Sequence, residues 1–133
     1  MPETPDNAVT AAVEACLTRS AAPWRVLAAG EWGLRAEAGG WPLDVGIALR
    51  DGVLRAQAAV LPPGGADPHA LLYRNRRVVL VRLSHTGDGS IWAQGEIPAV
   101  AAAHEAEVDR LLGALVAVAD DVRAAQGREG GAE

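Results

Sequence analysis

Three histidines, one cysteine and a pair of adjacent carboxylates are the side chains here whose types suit metal binding, nucleophilic attack or proton transfer. Their spacing argues against each use. His69, His85 and His104 fall at a helix start, in a hairpin loop and at another helix start. Zinc or triad chemistry needs groups that converge within bonding distance, and neither His-x-His nor His-x-x-x-His spacing occurs. Cys16 sits on the apolar stripe of a helix with no basic neighbour in sequence to lower its pKa, so a buried, unreactive thiol is expected. Asp120-Asp121 lie on a helix flank, where a solvated face fits better than paired acid and base work. The glycine-rich segments Gly39-Gly40, Gly64-Gly65 and Gly87-Asp88-Gly89 lack the spacing that cradles phosphates and read as turns. No catalytic residue, cofactor or metal ligand is expected, and the chain does not read as an enzyme.

Composition narrows the partners. The chain has 133 residues, a size at which one domain buries roughly two-thirds of its unfolded surface. Half the residues are apolar, and no uninterrupted run approaches the ~20 residues of a membrane span, so a soluble chain is expected. The net charge is −5 and all twelve cations are arginine. Phosphate-backbone binding needs clustered cations, and the longest basic run is Arg76-Arg77, so nucleic acid is not expected as a direct ligand. Met1 to Asn7 shows no basic region followed by an apolar core, and a single thiol forms no internal disulfide. Both point to the cytoplasm. The absence of lysine and phenylalanine beside abundant alanine, glycine and arginine looks like the product of a GC-rich bacterial genome.

The elements that would position any surface follow from periodicity. Thr4-Pro5 opens a first helix, with Val9, Val13, Cys16 and Leu17 as its apolar stripe to about Ser20. From Trp24 the period becomes two: Trp24, Val26, Ala28, Trp32, Leu34 and Ala36 share parity. One long strand bent at Gly30 is expected, with a hairpin at Gly30-Glu31 as the competing reading. Two-residue turns at Gly39-Gly40 and Asp51-Gly52 set the next registers. They pair Trp32 with Ile47, Leu34 with Val45 and Ala36 with Leu43, then Leu49 with Leu54, Ile47 with Ala56, Val45 with Ala58 and Leu43 with Val60. Both give one apolar face, with Arg35 opposite Asp44 on the other.

Asp67-Pro68 opens a short second helix through Leu71, Leu72 and about Asn75. Val78 to Ser84 and Ser90 to Ile97 form a further hairpin, aligning Leu83 with Ile91, Val81 with Ala93 and Val79 with Gly95. A last helix runs from about Ala101 to Ala125 on a stripe of Val108, Leu111, Leu112, Leu115, Ala119 and Val122. Residues 126–133 are glycine-rich and charged, and a flexible tail is expected. On this register Trp92 points away from the apolar face, beside Leu80 and opposite Arg82. Two readings stay open for it: cover by the short helix within the monomer, or a protein interface in which tryptophan and arginine act together.

The order helix, three strands, helix, two strands, helix resembles the YbjN-like family and the class I type III secretion chaperones that share its fold. The likeness spans about Val9 to Val122. It is carried by Trp24-Arg25-Val26, Asp51-Gly52, Leu71-Leu72 with Asn75, and Glu96-Ile97-Pro98. The resemblance implies an α+β domain with a five-stranded antiparallel sheet and the first and last helices on one face. It also implies a homodimer built around the middle helix and the strand after it. The expected dimer or partner interface is Leu71, Leu72, Tyr73, Leu80, Arg82 and Trp92. By analogy with the secretion chaperones, a client groove would run along Val9, Val13, Leu17 and Trp24. Here the chain carries many alanines where such grooves hold larger apolar residues. The function that follows is a homodimeric, chaperone-like adaptor for a protein client, with a small-ligand sensor as the alternative.

Overall fold

The computed structural model describes residues 5–131, with side chains described for 6–126. Thr4, the expected cap of the first helix, lies outside the described residues, as do Ala132 and Glu133. The elements are α1 (Pro5–Arg19), β1 (Trp24–Ala28), β2 (Glu31–Ala38), β3 (Trp41–Arg50), β4 (Val53–Leu61), α2 (Pro68–Asn75), β5 (Val81–His85), β6 (Ile91–Pro98), α3 (Ala99–Ala102) and α4 (Glu105–Gly131). The strands form one antiparallel sheet in the order β1-β2-β3-β4-β6-β5.

The α+β class is as expected, but the sheet has six strands where five were expected. The difference lies at Gly30. Its φ of +71° is a left-handed conformation that favours glycine, and it reverses the chain, so Trp24 pairs with Leu34 and Val26 with Trp32. The single bent strand is therefore a hairpin, turning at Ala29-Gly30. Parity survives, because Trp24 and Val26 still share a face with Trp32 and Leu34.

The two predicted turns hold. Ala38 pairs with Trp41 across Gly39-Gly40, and Arg50 with Val53 across Asp51-Gly52, where Asp51 has φ +53° and Gly52 +74°. The ladder between β3 and β4 starts at Val45 and Ala58 and does not reach Leu43 and Val60. Val60 sits where the register of β4 against β6 shifts, and its carbonyl accepts from Arg123 Nε at 2.9 Å instead of joining the ladder.

The second hairpin differs from expectation by two residues. Val81 pairs with Gly95, Leu83 with Ala93 and His85 with Ile91, so Arg82 faces Gln94 and Ser84 faces Trp92. A compact loop sets this register. Thr86 N–H donates to the Ser90 carbonyl at 3.0 Å, Gly89 N–H to the Thr86 carbonyl at 2.9 Å, and Ser90 N–H to Asp88 Oδ1 at 3.0 Å. Leu80, in the left-handed region at φ +74°, ends the preceding segment, so β5 starts at Val81 and not at Val78. A slip of two keeps Val81, Leu83 and Ile91 on the buried face and Arg82 and Trp92 on the other, while Val79, expected on the buried face opposite Gly95, lies outside β5 and is exposed.

The expected last helix is two. The break falls at Ala103-His104, and Ala99 N–H donates to the Gly52 carbonyl at 2.8 Å, tying α3 to the β3–β4 turn. The backbone of α4 stays helical to Gly131, past the expected end at Ala125 and through most of the expected tail.

One face of the sheet carries the core. Val9, Val13 and Leu17 of α1 and Val108, Leu111 and Leu115 of α4 are fully buried, with Trp32, Leu43, Ile47 and Leu54 of the sheet. Each large side chain so buried contributes about 1.5–3 kcal/mol. Trp32 Nε1 donates to Glu14 Oε2 at 2.9 Å, which fixes α1 over β2. At Gly95 a Cβ would lie 2.8 Å from Leu111 Cδ1 and 2.9 Å from the Leu80 carbonyl oxygen, so α4 seats on β6 only because that position lacks a side chain. The opposite face is uncovered.

Candidate functional site

The two outer strands of the sheet, β5 and β1, are finished in different ways. An edge strand presents backbone N–H and C=O groups that face away from its neighbour, and these must find water or another partner. On β5 the alternation turns Val81, Leu83 and His85 outward, with Leu83 at the centre of the edge. Asn75, the last residue of α2, takes both of its groups: Leu83 N–H donates to Asn75 Oδ1 at 2.7 Å, and Asn75 Nδ2 donates to the Leu83 carbonyl at 2.9 Å. A side-chain amide thus occupies the place of a neighbouring strand. Asp67 starts α2 by accepting from His69 N–H at 3.1 Å, with Pro68 in the first turn, and Leu71 is buried in the core.

On β1 no such cap exists among the described residues. Arg35 N–H donates to the Pro23 carbonyl at 2.9 Å, so in the alternation of an antiparallel ladder Pro23 and Arg25 face β2. The N–H and C=O of Trp24 and Val26 therefore point outward. The side chains around them are exposed apolar ones, Val26 at 55% and Leu27 at 52%. Leu27 lies over Gly33 on the uncovered face and forms one wall of an open groove of about 580 Å³, whose floor is Gly33 and Gly46 and whose other sides include Arg25, Arg35 and Asp44.

The uncovered face is otherwise a set of matched charges. Arg35 Nε donates to Asp44 Oδ1 at 2.9 Å, Arg50 pairs with Glu31, and Glu96 holds Arg55 at 2.9 Å and Arg82 at 3.6 Å. The Arg35 hydrogen bond, ahead of charge effects, keeps the Asp44 carboxyl below its usual range. Arg25 has no ion-pair partner among the described residues.

The expected interface residues divide. Leu71 is buried in the chain's own core, while Leu72 and Tyr73 are exposed, with Arg77 Nη2 donating to the Tyr73 hydroxyl at 2.8 Å. Leu80 is half-buried, and Arg82 is engaged by Glu96. Trp92 is half-buried, and its indole N–H is shielded with no acceptor among the described residues. Val79, expected on the buried face opposite Gly95, is exposed instead and belongs with Leu72 and Tyr73 as a large apolar side chain on the α2–β5 segment. Of the expected client groove, Val9, Val13 and Leu17 are fully buried and offer no open surface; only Trp24 is partly accessible.

The residues with chemical potential stay apart. Cys16 is buried with Sγ 3.9 Å from Asp109 Oδ1, and burial, followed by the charges of Asp109 and Glu105, pushes its thiol up to about 11. Among the described residues no group of His, Cys, Asp and Glu side chains is placed to hold a metal ion. Asp120, expected to be solvated, accepts from Gly39 N–H at 2.7 Å.

Arg123 was missed. It is 5% exposed and has no ion pair with a carboxylate among the described residues. Nε donates to the Val60 carbonyl at 2.9 Å, and Nη1 to the carbonyls of Ala38 at 2.8 Å, Trp41 at 3.1 Å and Pro42 at 3.3 Å, with the guanidinium 3.2 Å from the Trp41 ring centroid. Burial lowers its pKa from the usual arginine value. It clamps the end of the β2–β3 hairpin to α4. Its signal in the sequence is position alone, four residues beyond Ala119 on the apolar stripe.

No protein-family model matches the chain, and no curated protein matches it.

Proposed function

We propose that this chain is a non-enzymatic protein-binding module, a chaperone-like adaptor that captures an extended segment of a protein partner along β1. The open backbone of Trp24 and Val26 supports this reading. It is the kind of edge to which a strand is added, with main-chain hydrogen bonds giving affinity and the flanking side chains giving selectivity. The resemblance to YbjN-like proteins and secretion chaperones, whose clients bind as extended segments, points the same way. The client route moves from the first helix to the strand beside it, because Val9, Val13 and Leu17 are committed to the core.

Self-association belongs to the other end of the sheet. Leu72, Tyr73 and Val79 are the apolar side chains there available to a second copy. Sedimentation at micromolar concentration tests this: a dimer that Leu72→Ser dissociates is expected, and a strictly monomeric wild type refutes it.

The capture reading is tested with Val26→Pro, which removes one outward N–H. Partners recovered by wild type and by Leu72→Ser, but lost with Val26→Pro, are the expected result. Equal recovery by all three baits would refute a role for β1. A small-ligand sensor is the second reading, favoured by the groove over Gly33 and Gly46. A metabolite that raises the melting temperature of wild type, and not of Gly46→Val, would support it.

A further inference from the structure

Resting on strand capture at β1, we infer that the segment taken there is an acidic-aliphatic one: aliphatic side chains on the face it shares with Trp24 and Val26, and a carboxylate beside Arg25 on the other. The two rows of β1 set this chemistry. Trp24 and Val26 lie on the core side, where Val26 is more than half exposed beyond the cover of the helices. An added strand places alternate side chains directly alongside them, and aliphatic groups remove that surface from water. On the uncovered side the row is Arg25 and Leu27. Arg25 makes no ion pair and shares the charge of Asp44 with Arg35, which holds that carboxylate directly, while Glu31 is held by Arg50; two guanidiniums thus face one carboxylate and the edge carries an excess of positive charge. An opposite charge directly across a strand pair is favourable and a like charge is not.

The same two rows argue against a second copy of this chain as the occupant. β1 offers five residues, about 17 Å of edge, whereas a stable subunit interface uses about 20–30 residues a side. A copy paired along this edge would also bring another arginine onto the face that holds Arg25. A flexible segment of opposite charge has neither cost.

The probe is a blocked hexapeptide, Thr-Leu-Val-Glu-Val-Thr, whose central four residues fall opposite Leu27, Val26, Arg25 and Trp24 in an antiparallel register. Its controls carry lysine or glutamine in place of glutamate. Amide exchange followed by NMR on the full chain is expected to show saturable protection of Trp24 and Val26 by the glutamate peptide. Titration should place the lysine peptide about ten-fold or more weaker, with glutamine between. Arg25→Glu should reverse the order of the glutamate and lysine peptides, and Arg25→Gln should abolish the difference. If all three peptides protect Trp24 and Val26 equally, and Arg25→Glu leaves the order unchanged, the acidic preference is wrong while strand capture stands. If none protects these amides, strand capture itself fails. Protection that grows with protein concentration in the absence of peptide assigns the edge to a second copy and overturns the inference.

Discussion

β5 and β1 are the two outer strands of one antiparallel sheet, equal in length, yet one is capped at its centre by a side chain and the other is left open. At β5 a whole helix with its own cap and a buried leucine delivers Asn75 to Leu83. At β1 the chain places two exposed aliphatic side chains and an arginine that makes no ion pair among the described residues. Unprotected edges are a hazard that folded proteins usually blunt with charge, proline or cover. A chain that covers one edge with this much structure and leaves the other bare keeps its second edge the more open to strand addition.

The largest effect should come from the anchor beneath the closed edge. Leu71→Ala is expected to lower stability by about 2–5 kcal/mol in urea unfolding and to speed exchange of the Leu83 amide. A loss within ~0.5 kcal/mol would show that α2 is not held by its buried residue. Asn75→Ala should cost less, about 2 kcal/mol, because it leaves the Leu83 N–H and C=O to water and not to a void. Asn75→Asp keeps the acceptor for Leu83 N–H but cannot donate to its carbonyl, and should fall between wild type and alanine. Unchanged stability in Asn75→Ala would erase the contrast between the edges. At the open edge, Val26→Pro should cost less than about 1 kcal/mol, since its N–H has no partner to lose.

The smallest difference between variants concerns Cys16. With its folded pKa near 11 against an ordinary value of 9.0, the thiol should resist iodoacetamide at pH 8 in wild type and in Val26→Pro alike. Below pH 9 both folded and unfolded chains keep the proton. Between about pH 9 and 11 only the folded chain does, so stability should fall as pH rises through that window. Rapid alkylation at pH 8 would mean that the core opens locally.

Two-residue turns with left-handed glycine set the β2–β3 and β3–β4 registers, and there the pairs read from residue types are the pairs found, except Leu43 with Val60, which the ladder does not reach. Parity carried further than register. In the second hairpin Val81, Arg82, Leu83 and Trp92 face as expected although the pairing slips by two, because an apolar pattern of period two cannot distinguish registers that differ by an even number. The sixth strand was hidden by the same degeneracy: Trp24 and Val26 share a face with Trp32 and Leu34 whether the chain bends or turns back at Gly30. The alanines from 99 to 103 carry no breaker to mark the division of the last helix. Asn75 stood out in the pattern, but its pairing with a backbone eight residues on leaves no trace in sequence. The open edge was unreadable for a related reason, since an edge is defined by which neighbour is missing.

The clamp made by Arg123 also sets an order of events. Its acceptors at Ala38, Trp41 and Val60 lie more than sixty residues earlier in the chain, and Asp120 reaches back as far to Gly39. During synthesis the β2–β3 hairpin emerges long before the helix that closes it, and contacts so distant in sequence are slow to form. The tip of that hairpin should therefore be among the last parts to become rigid. Pulse-labelled exchange during refolding would show the Gly39 amide gaining protection after those in the middle of β2 and β3, and the chain's final maturation would be timed by its last turns of helix.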